Sequence, residues 1–178
     1  MSSAKQAPTP SPHVRGHYDH RMADAGTPSL YFAYGSNLSL AQMARRCPAA
    51  RAMSRAVLHG YRLSFPRLGS NWTGGVAGIE PDAIARVEGA VYRVTAACLR
   101  TLDAMEGVGS LRYQRVTVSV VMPDAQAMEA ATYVATPEPG GPFEPSAQYV
   151  RVIMQGAREH GLSACHVSQL TQWLSLSS

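Results

Sequence analysis

Two short stretches of this sequence combine the residue types needed for proton transfer and for anion binding. The first ends at Glu106, which follows an apolar helical repeat formed by Leu99, Leu102 and Met105. At ~100° per residue, Glu106 lies about 20° from Leu99 around the helix, so its carboxylate projects from the apolar face. Burial and the negative end of the helix dipole both disfavour the charged carboxylate, so we expect the pKa of Glu106 to be raised. Such a group could accept and return a proton near neutral pH.

Two alternatives to this interpretation stay open at the level of sequence. Glu106 stands in the last turn of its predicted helix, where a frayed end would let its carboxylate reach water. Asp103 lies nearer the edge of the same apolar face, about 40° from Leu99, and is the second carboxylate available there. The sequence favours Glu106 as the catalytic carboxyl group, with Asp103 as its competitor.

The second stretch spans residues 31–38 and reads Y-F-A-Y-G-S-N-L. Its aromatic half is typical of a short buried strand, and the Gly-Ser-Asn tripeptide at 35–37 then leads into a helix capped by Ser39 and Gln42. Free amides at the start of a helix, with its positive dipole end, favour a carboxylate or an oxyanion. An ordinary turn that merely starts a helix is the alternative. Ser36 is not indicated as a nucleophile, because the G-x-S-x-G pattern is missing and no histidine is near in sequence.

The elements that would position these stretches are strands interspersed with helices. Apolar and polar alternation between Gly and Pro residues predicts six strands, over residues 31–34, 55–65, 72–79, 85–94, 113–122 and 127–135. Helical spacing predicts four helices, over residues 39–46, 95–106, 146–161 and 163–174. We expect Pro66 to end the second strand, and Pro81 with Asp82 to form a turn after the third. Glycines within the strands favour bends, so we predict an α+β fold whose mixed sheet curls into a barrel flanked by helices.

Length and composition indicate one domain preceded by a tail. The chain has 178 residues, 46% of them hydrophobic, which is enough for a single core. Residues 1–28 are rich in Pro, Ser, Ala and His without apolar periodicity, so we expect a disordered tail ahead of a domain over residues 29–178. No segment has the ~18 apolar residues of a membrane span or the pattern of a secretory signal, so a cytoplasmic protein is expected.

Charge and cysteine content argue against nucleic-acid binding and against a disulfide or zinc framework. The net charge of +4 comes from 16 basic and 12 acidic residues, and the basic ones are scattered except for Arg45 and Arg46. Such scattering does not form the basic stripe of a nucleic-acid interface. The three cysteines are widely spaced and odd in number, so we interpret them as buried or free thiols.

Four motifs, in this order, resemble those of the γ-glutamylcyclotransferase family. They are Y-F-A-Y-G-S-N-L, W-T-G-G-V-A-G-I, L-D-A-M-E-G, and P-S-A-Q-Y followed by G-A-R-E-H-G-L. The first motif recurs across a wider superfamily, whereas the four together are specific to this family. The resemblance spans residues 30–172. The family resembled has a mixed β-barrel flanked by helices and uses no metal or cofactor.

The resemblance implies an enzyme that converts a γ-glutamyl amino acid or amine into 5-oxoproline and the free amino acid or amine. It implies that Glu106 is the general base and acid. It also implies a substrate-binding set formed by Tyr31, Phe32, Ala33, Tyr34, Gly35, Ser36, Asn37, Gly74, Gly75 and Tyr149. Tyr113 stays unassigned, because strand alternation groups it with Arg115 and Thr117.

The identity of the released amine stays open, and loops such as residues 136–145 are expected to decide it. The rival substrates are a γ-glutamyl amine, the isopeptide of lysine and a γ-glutamyl-protected natural product, while a glutathione-specific enzyme is less expected. A small-anion binding module without turnover is the non-enzyme rival. The expected partner is the small-molecule γ-glutamyl substrate, without nucleic acid, membrane, cofactor or metal, and a homodimer is left open.

Deletion of residues 1–28 should leave both the thermal midpoint and kcat/KM essentially unchanged, because no core-forming pattern lies in that segment. Thermal unfolding and steady-state assays of the truncated and full-length chains make the comparison. A midpoint lowered by several degrees would show instead that the segment packs against the domain.

Overall fold

A computed structural model describes residues 29–176, which form a closed five-stranded barrel with four helices. The strands are β1 (Ser29–Ala33), β2 (Arg51–Leu68), β3 (Gly75–Val94), β4 (Tyr113–Val121) and β5 (Ala127–Ala135). Their order around the barrel is β1-β3-β2-β4-β5, and β1 closes it by pairing parallel to β5 and antiparallel to β3. The predicted α+β barrel is therefore confirmed.

The longest strand, β3, accounts for the difference between the six predicted strands and the five observed. The strands expected over residues 72–79 and 85–94 are parts of one strand, β3, and the turn expected at Pro81 and Asp82 is wrong. Tyr61 pairs with Pro81 and His59 pairs with Arg86, so residues 82–85 form an excursion within a continuous ladder. Proline and its neighbours interrupt pairing at a bulge without ending the strand.

A second correction concerns Pro66, which was expected to end β2. The strand continues to Leu68, and Pro66 lies inside the register shift between Ser64 and Arg67. The missing backbone N–H of proline therefore falls at an irregular position of the ladder, where a donor is not required.

The four helices are α1 (Leu40–Arg46), α2 (Ala96–Glu106), α3 (Ala147–Glu159) and α4 (Ala164–Leu176). The side chains of Ser39, Thr95 and Ser146 accept hydrogen bonds from backbone amides at the starts of α1, α2 and α3. Gly107 ends α2 with a φ of 69°, a left-handed conformation that favours glycine. This cap fixes Glu106 as the last residue of α2. A single 3-10 turn, Ser36–Leu38, joins β1 to the region of α1.

Helix α3 packs directly on the backbone of that 3-10 turn. A Cβ atom at Gly156 would lie 2.3 Å from the carbonyl carbon of Leu38 and 2.4 Å from the amide nitrogen of Ser39. The same helix buries Val150, Ile153 and other apolar side chains in the core. The position of the 3-10 turn is therefore set by a backbone contact that only glycine permits.

The predicted tail over residues 1–28 lies outside the described residues. In the described part of the chain, no helix is both long and apolar enough to cross a membrane. Its three cysteines are free thiols, with Cys47 and Cys98 buried and Cys165 exposed.

Gly156→Ala should destabilise the protein by about 1–3 kcal/mol, because its methyl group overlaps the 3-10 turn. The same exchange in an unobstructed helix interior is stabilising by up to about 1 kcal/mol, so the sign of the effect tests the contact. Gly109→Ala is the matched control, since a Cβ atom there meets nothing within 4 Å. Denaturant unfolding gives both values, and a Gly156→Ala variant as stable as wild type would contradict the close approach.

Candidate active site

A narrow cavity opens where β1 ends and the 3-10 turn begins. It is lined by Tyr31, Tyr34, Gly35, Ser36, Asn37, Ala77, Glu106, Tyr113, Tyr133 and Tyr149. The two stretches on which the sequence analysis began, residues 31–38 and the end of α2, therefore face each other across one cavity. Of the described residues that line it, Glu106 alone carries a carboxyl group.

The carboxyl group of Glu106 is held by two donors from different elements. Its Oε1 atom accepts a hydrogen bond from Nδ2 of Asn37 at 3.3 Å and one from Nη1 of Arg46 at 3.2 Å. The side chain is 18% exposed. Burial raises the pKa of Glu106 above its ordinary value, while the charge of Arg46 and the two hydrogen bonds act in the opposite direction. The raised pKa expected for Glu106 is thus found, with burial as its largest cause.

A polar network fixes the side chains of the 3-10 turn. Asn37 donates to the hydroxyl of Tyr31 at 2.9 Å and accepts from Nη1 of Arg46 at 2.8 Å, and Gln42 donates to Oγ of Ser36 at 2.6 Å. The amides of Ser36 and Asn37 stand in the first turn of the 3-10 helix, where no intrahelical carbonyl is available to them. The turn therefore presents amides beside a positively charged guanidinium, which suits an anion.

Two tyrosines are held against the backbone of Ala77 in β3. The hydroxyl of Tyr149 accepts from the Ala77 amide at 3.0 Å, and the hydroxyl of Tyr113 donates to the Ala77 carbonyl at 2.8 Å. Burial raises the pKa of Tyr149 to about 12, so its hydroxyl stays protonated at neutral pH. Tyr113, which strand alternation left unassigned, lies in the cavity wall.

Asp103, the competing carboxylate, binds Tyr133 and Arg115 outside the cavity. It accepts a hydrogen bond from the hydroxyl of Tyr133 at 2.9 Å and forms an ion pair with Arg115 at 2.7 Å. Asp103 does not line the cavity. The structure therefore separates the two carboxylates of α2, with Glu106 inside and Asp103 behind a tyrosine.

Four residues expected to bind substrate lie away from the cavity lining. Phe32 and Ala33 are fully buried, and the Phe32 ring and the Ala33 carbonyl oxygen both lie against Gly89 of β3. Gly74 and Gly75 do permit a close approach, but the approaching group is the backbone of residues 143–144. A Cβ atom at either glycine would lie 2.4 Å from a carbonyl oxygen there. Strand alternation explains Phe32, since its side chain faces the side of β1 opposite to that of Tyr31.

The sequence analysis missed Arg46 and Gln42, the two α1 side chains that hold the site together. Both face the 3-10 turn because they are four residues apart on one side of α1. Two polar residues at this spacing, directly after a loop suspected of binding an anion, are the signal that could have identified them. Among residues 29–176, no group of three or more His, Cys, Asp or Glu side chains is placed to hold a metal ion.

Known proteins are similar to this chain in sequence and in fold. The model of the AIG2-like family matches residues 86–170. A γ-glutamylcyclotransferase of Bos taurus is 36% identical over 141 residues, which cover 77% of this chain and 74% of the relative. The γ-glutamylcyclotransferase of Homo sapiens is 34% identical over 137 residues, covering 75% and 72%.

A solved γ-glutamyl cyclotransferase structure superposes with a TM-score of 0.77 at 31% identity, over 81% of this chain and 86% of that chain. The chain belongs to the γ-glutamylcyclotransferase family, and it is an enzyme. The alternative of a binding module without turnover is therefore set aside.

Replacement of Arg46 by methionine should raise the pKa of Glu106 further, because the cation that favours the carboxylate is removed while the burial stays. Titration of the Glu106 carboxyl carbon by NMR, in selectively labelled protein, measures this pKa. Arg45→Met is the matched control, since Arg45 is the exposed neighbour on the same helix. An unchanged or lowered pKa in Arg46→Met would contradict the electrostatic description of the site.

Proposed function

We propose that Glu106 is the general base and acid of a cyclisation that converts a γ-glutamyl group into 5-oxoproline. One observation carries this proposal: the sole carboxyl group among the described residues of the cavity wall is buried and has a raised pKa. Perturbed carboxyl groups in clefts are typical of catalytic acids and bases.

The reaction needs no protein nucleophile, because the nucleophile belongs to the substrate. The α-amine forms a bond to the γ-carbonyl carbon of the same glutamyl group, and the amide bond between that carbon and the leaving nitrogen breaks. In this proposal Glu106 removes a proton from the α-ammonium group and later delivers it to the leaving nitrogen. The attacking nitrogen loses a second proton as the lactam forms, and that proton is taken up by the released amine. The protein contributes orientation and proton transfer.

The raised pKa of Glu106 matters for the first proton transfer. A glutamate with an ordinary pKa of ~4.3 that faces an α-amine near ~8 makes the transfer uphill by roughly 5 kcal/mol. A pKa nearer ~6–7 removes about half of that cost or more. Burial is the largest cause of the raised pKa of Glu106. It therefore lowers the free-energy cost of this proton transfer.

The 3-10 turn would hold the anionic part of the substrate in this proposal. The amides of Ser36 and Asn37 can bind the α-carboxylate or the oxyanion that develops on the γ-carbonyl. Gly35 contributes space, since a Cβ atom there would lie 3.1 Å from Cβ of Ala77 and 3.6 Å from the hydroxyl of Tyr149. Its φ of −104° is open to any residue, so the requirement for glycine comes from room in the cavity. Tyr149 would contact the substrate from the opposite wall.

The substrate we propose is a γ-glutamyl amino acid, with a γ-glutamyl amine, the lysine isopeptide or a protected natural product as alternatives. Incubation with a γ-glutamyl amino acid, γ-glutamyl-ε-lysine and glutathione, followed by an assay of 5-oxoproline, separates the first of these from the lysine isopeptide and from glutathione. Production of 5-oxoproline from none of these compounds would overturn the proposed reaction.

Glu106→Gln should preserve the fold and substrate binding but lower kcat by about 10²–10⁴-fold, because the amide cannot accept the proton. Asp103→Asn is the matched control on the same helix, and it should affect kcat much less, since Asp103 does not line the cavity. Single-turnover formation of 5-oxoproline measures both. The reverse ranking of the two variants would show that Asp103 is the base.

A further inference from the structure

The cavity continues outward into a second space, which we call the outer cleft. Its walls include Arg46, Ser70, Asn71, Trp72, Met105 and Arg112, and it shares Glu106 and Tyr149 with the cavity. A molecule bound in the cavity could therefore extend past Glu106 into the outer cleft without leaving the protein surface.

The charges of the outer cleft are unbalanced. Of the described residues that line it, Glu106 alone is acidic, and its carboxylate is paired with Arg46. The guanidinium of Arg112 donates to the Leu68 carbonyl at 3.1 Å, which occupies one of its five N–H groups. The positive charge of Arg112 is thus left without a carboxylate partner among the lining residues, in a position suited to an anion.

The chemistry of the proposed function determines what reaches this cleft. Glu106 must protonate the leaving nitrogen, so that nitrogen lies next to the Glu106 carboxyl group while the glutamyl half occupies the cavity. The group attached to the leaving nitrogen then extends from the other side of Glu106. The space available on that side is the outer cleft.

We propose that the outer cleft binds the leaving group and that Arg112 is a specificity-determining residue that binds its carboxylate. This inference rests on the proposed function. A guanidinium binds a carboxylate through a charge-assisted pair of hydrogen bonds, which a simple amine cannot offer. The released product is therefore an amino acid, rather than an amine that lacks a carboxyl group.

Two largely apolar side chains in the wall of the outer cleft, Trp72 and Met105, bear on the side chain of that amino acid. The indole ring of Trp72 lies 5.0 Å from the ring of Tyr149, and Met105 is 52% exposed although it is apolar. An indole and a thioether favour an apolar or aromatic group between them.

The loop over residues 136–145, which was expected to choose the leaving group, does not line this cleft. Its residues 143–144 instead pack against Gly74 and Gly75.

The test compares γ-glutamyl-phenylalanine with γ-glutamyl-phenethylamine, which differ only in the carboxylate of the leaving group. For the wild-type enzyme, kcat/KM should be roughly ten- to a hundredfold higher for the phenylalanine compound, as expected for one charge-assisted contact. Arg112→Met should lower that value to the level of the phenethylamine compound and leave the phenethylamine value unchanged. Arg45→Met, which removes the same charge from the exposed side of α1, should change neither.

Two further variants test the cleft: the first separates recognition by Arg112 from a structural role of Arg112, and the second tests the contact of the leaving group with Trp72. Arg112→Lys should restore part of the preference, because lysine keeps the charge but lacks the planar fork. Trp72→Ala should reduce kcat/KM several-fold for γ-glutamyl-phenylalanine relative to γ-glutamyl-glycine.

Equal use of the phenylalanine and phenethylamine compounds by wild type, or an equal loss for both in Arg112→Met, would overturn the assignment of Arg112 while leaving the cyclisation intact. Absence of 5-oxoproline from every compound would overturn the proposed function itself.

Discussion

The site depends on the carboxyl group of Glu106, which is largely buried and forms an ion pair with Arg46. Burial of Glu106 favours its protonated form, and Arg46 favours its carboxylate, so the pKa of Glu106 is set by the balance of two opposing effects. Burial without Arg46 would raise the pKa of Glu106 further, and Arg46 without burial would lower it. A group that must both accept and return a proton needs an intermediate pKa. Two helices meet at this ion pair, α1 with Arg46 and α2 with Glu106.

The barrel and α3 provide the rigid frame for that pair. Strand β1 ends at the cavity and is held on both sides, by β3 and by β5. The 3-10 turn that follows packs between α1 and α3. Gln42 and Arg46 of α1 donate hydrogen bonds to its side chains, and Gly156 of α3 contacts its backbone. Asn37 then links the turn to Glu106 through one amide group. Each contact restricts the 3-10 turn, so in the proposed mechanism little reorganisation is left for the step in which the turn binds the substrate.

The sequence predicts features that depend on neighbouring residues, but it does not predict contacts between segments that are distant along the chain. The helical repeat before Glu106 and the glycine cap after it are local, and they predicted a buried carboxyl group correctly. The continuity of β3 through Pro81 could not be read from the sequence, because the partner strand β2 carries the ladder past the irregular residues. Arg46 was missed because its partner Glu106 is 60 residues away. Gly74 and Gly75 signalled a close neighbour, but only the fold identifies that neighbour as the backbone of residues 143–144.

In the proposed mechanism the Glu106 carboxylate is the base in the free enzyme. The most direct measurement pairs the pH dependence of kcat/KM for 5-oxoproline formation with an NMR titration of the Glu106 carboxyl carbon in wild-type protein. We expect kcat/KM to rise with pH through an apparent pKa above the ordinary glutamate value of ~4.3, and the carboxyl carbon to titrate with the same pKa. A Glu106 carboxyl group that titrates at a pKa different from that of the rising limb would show that another group is the base.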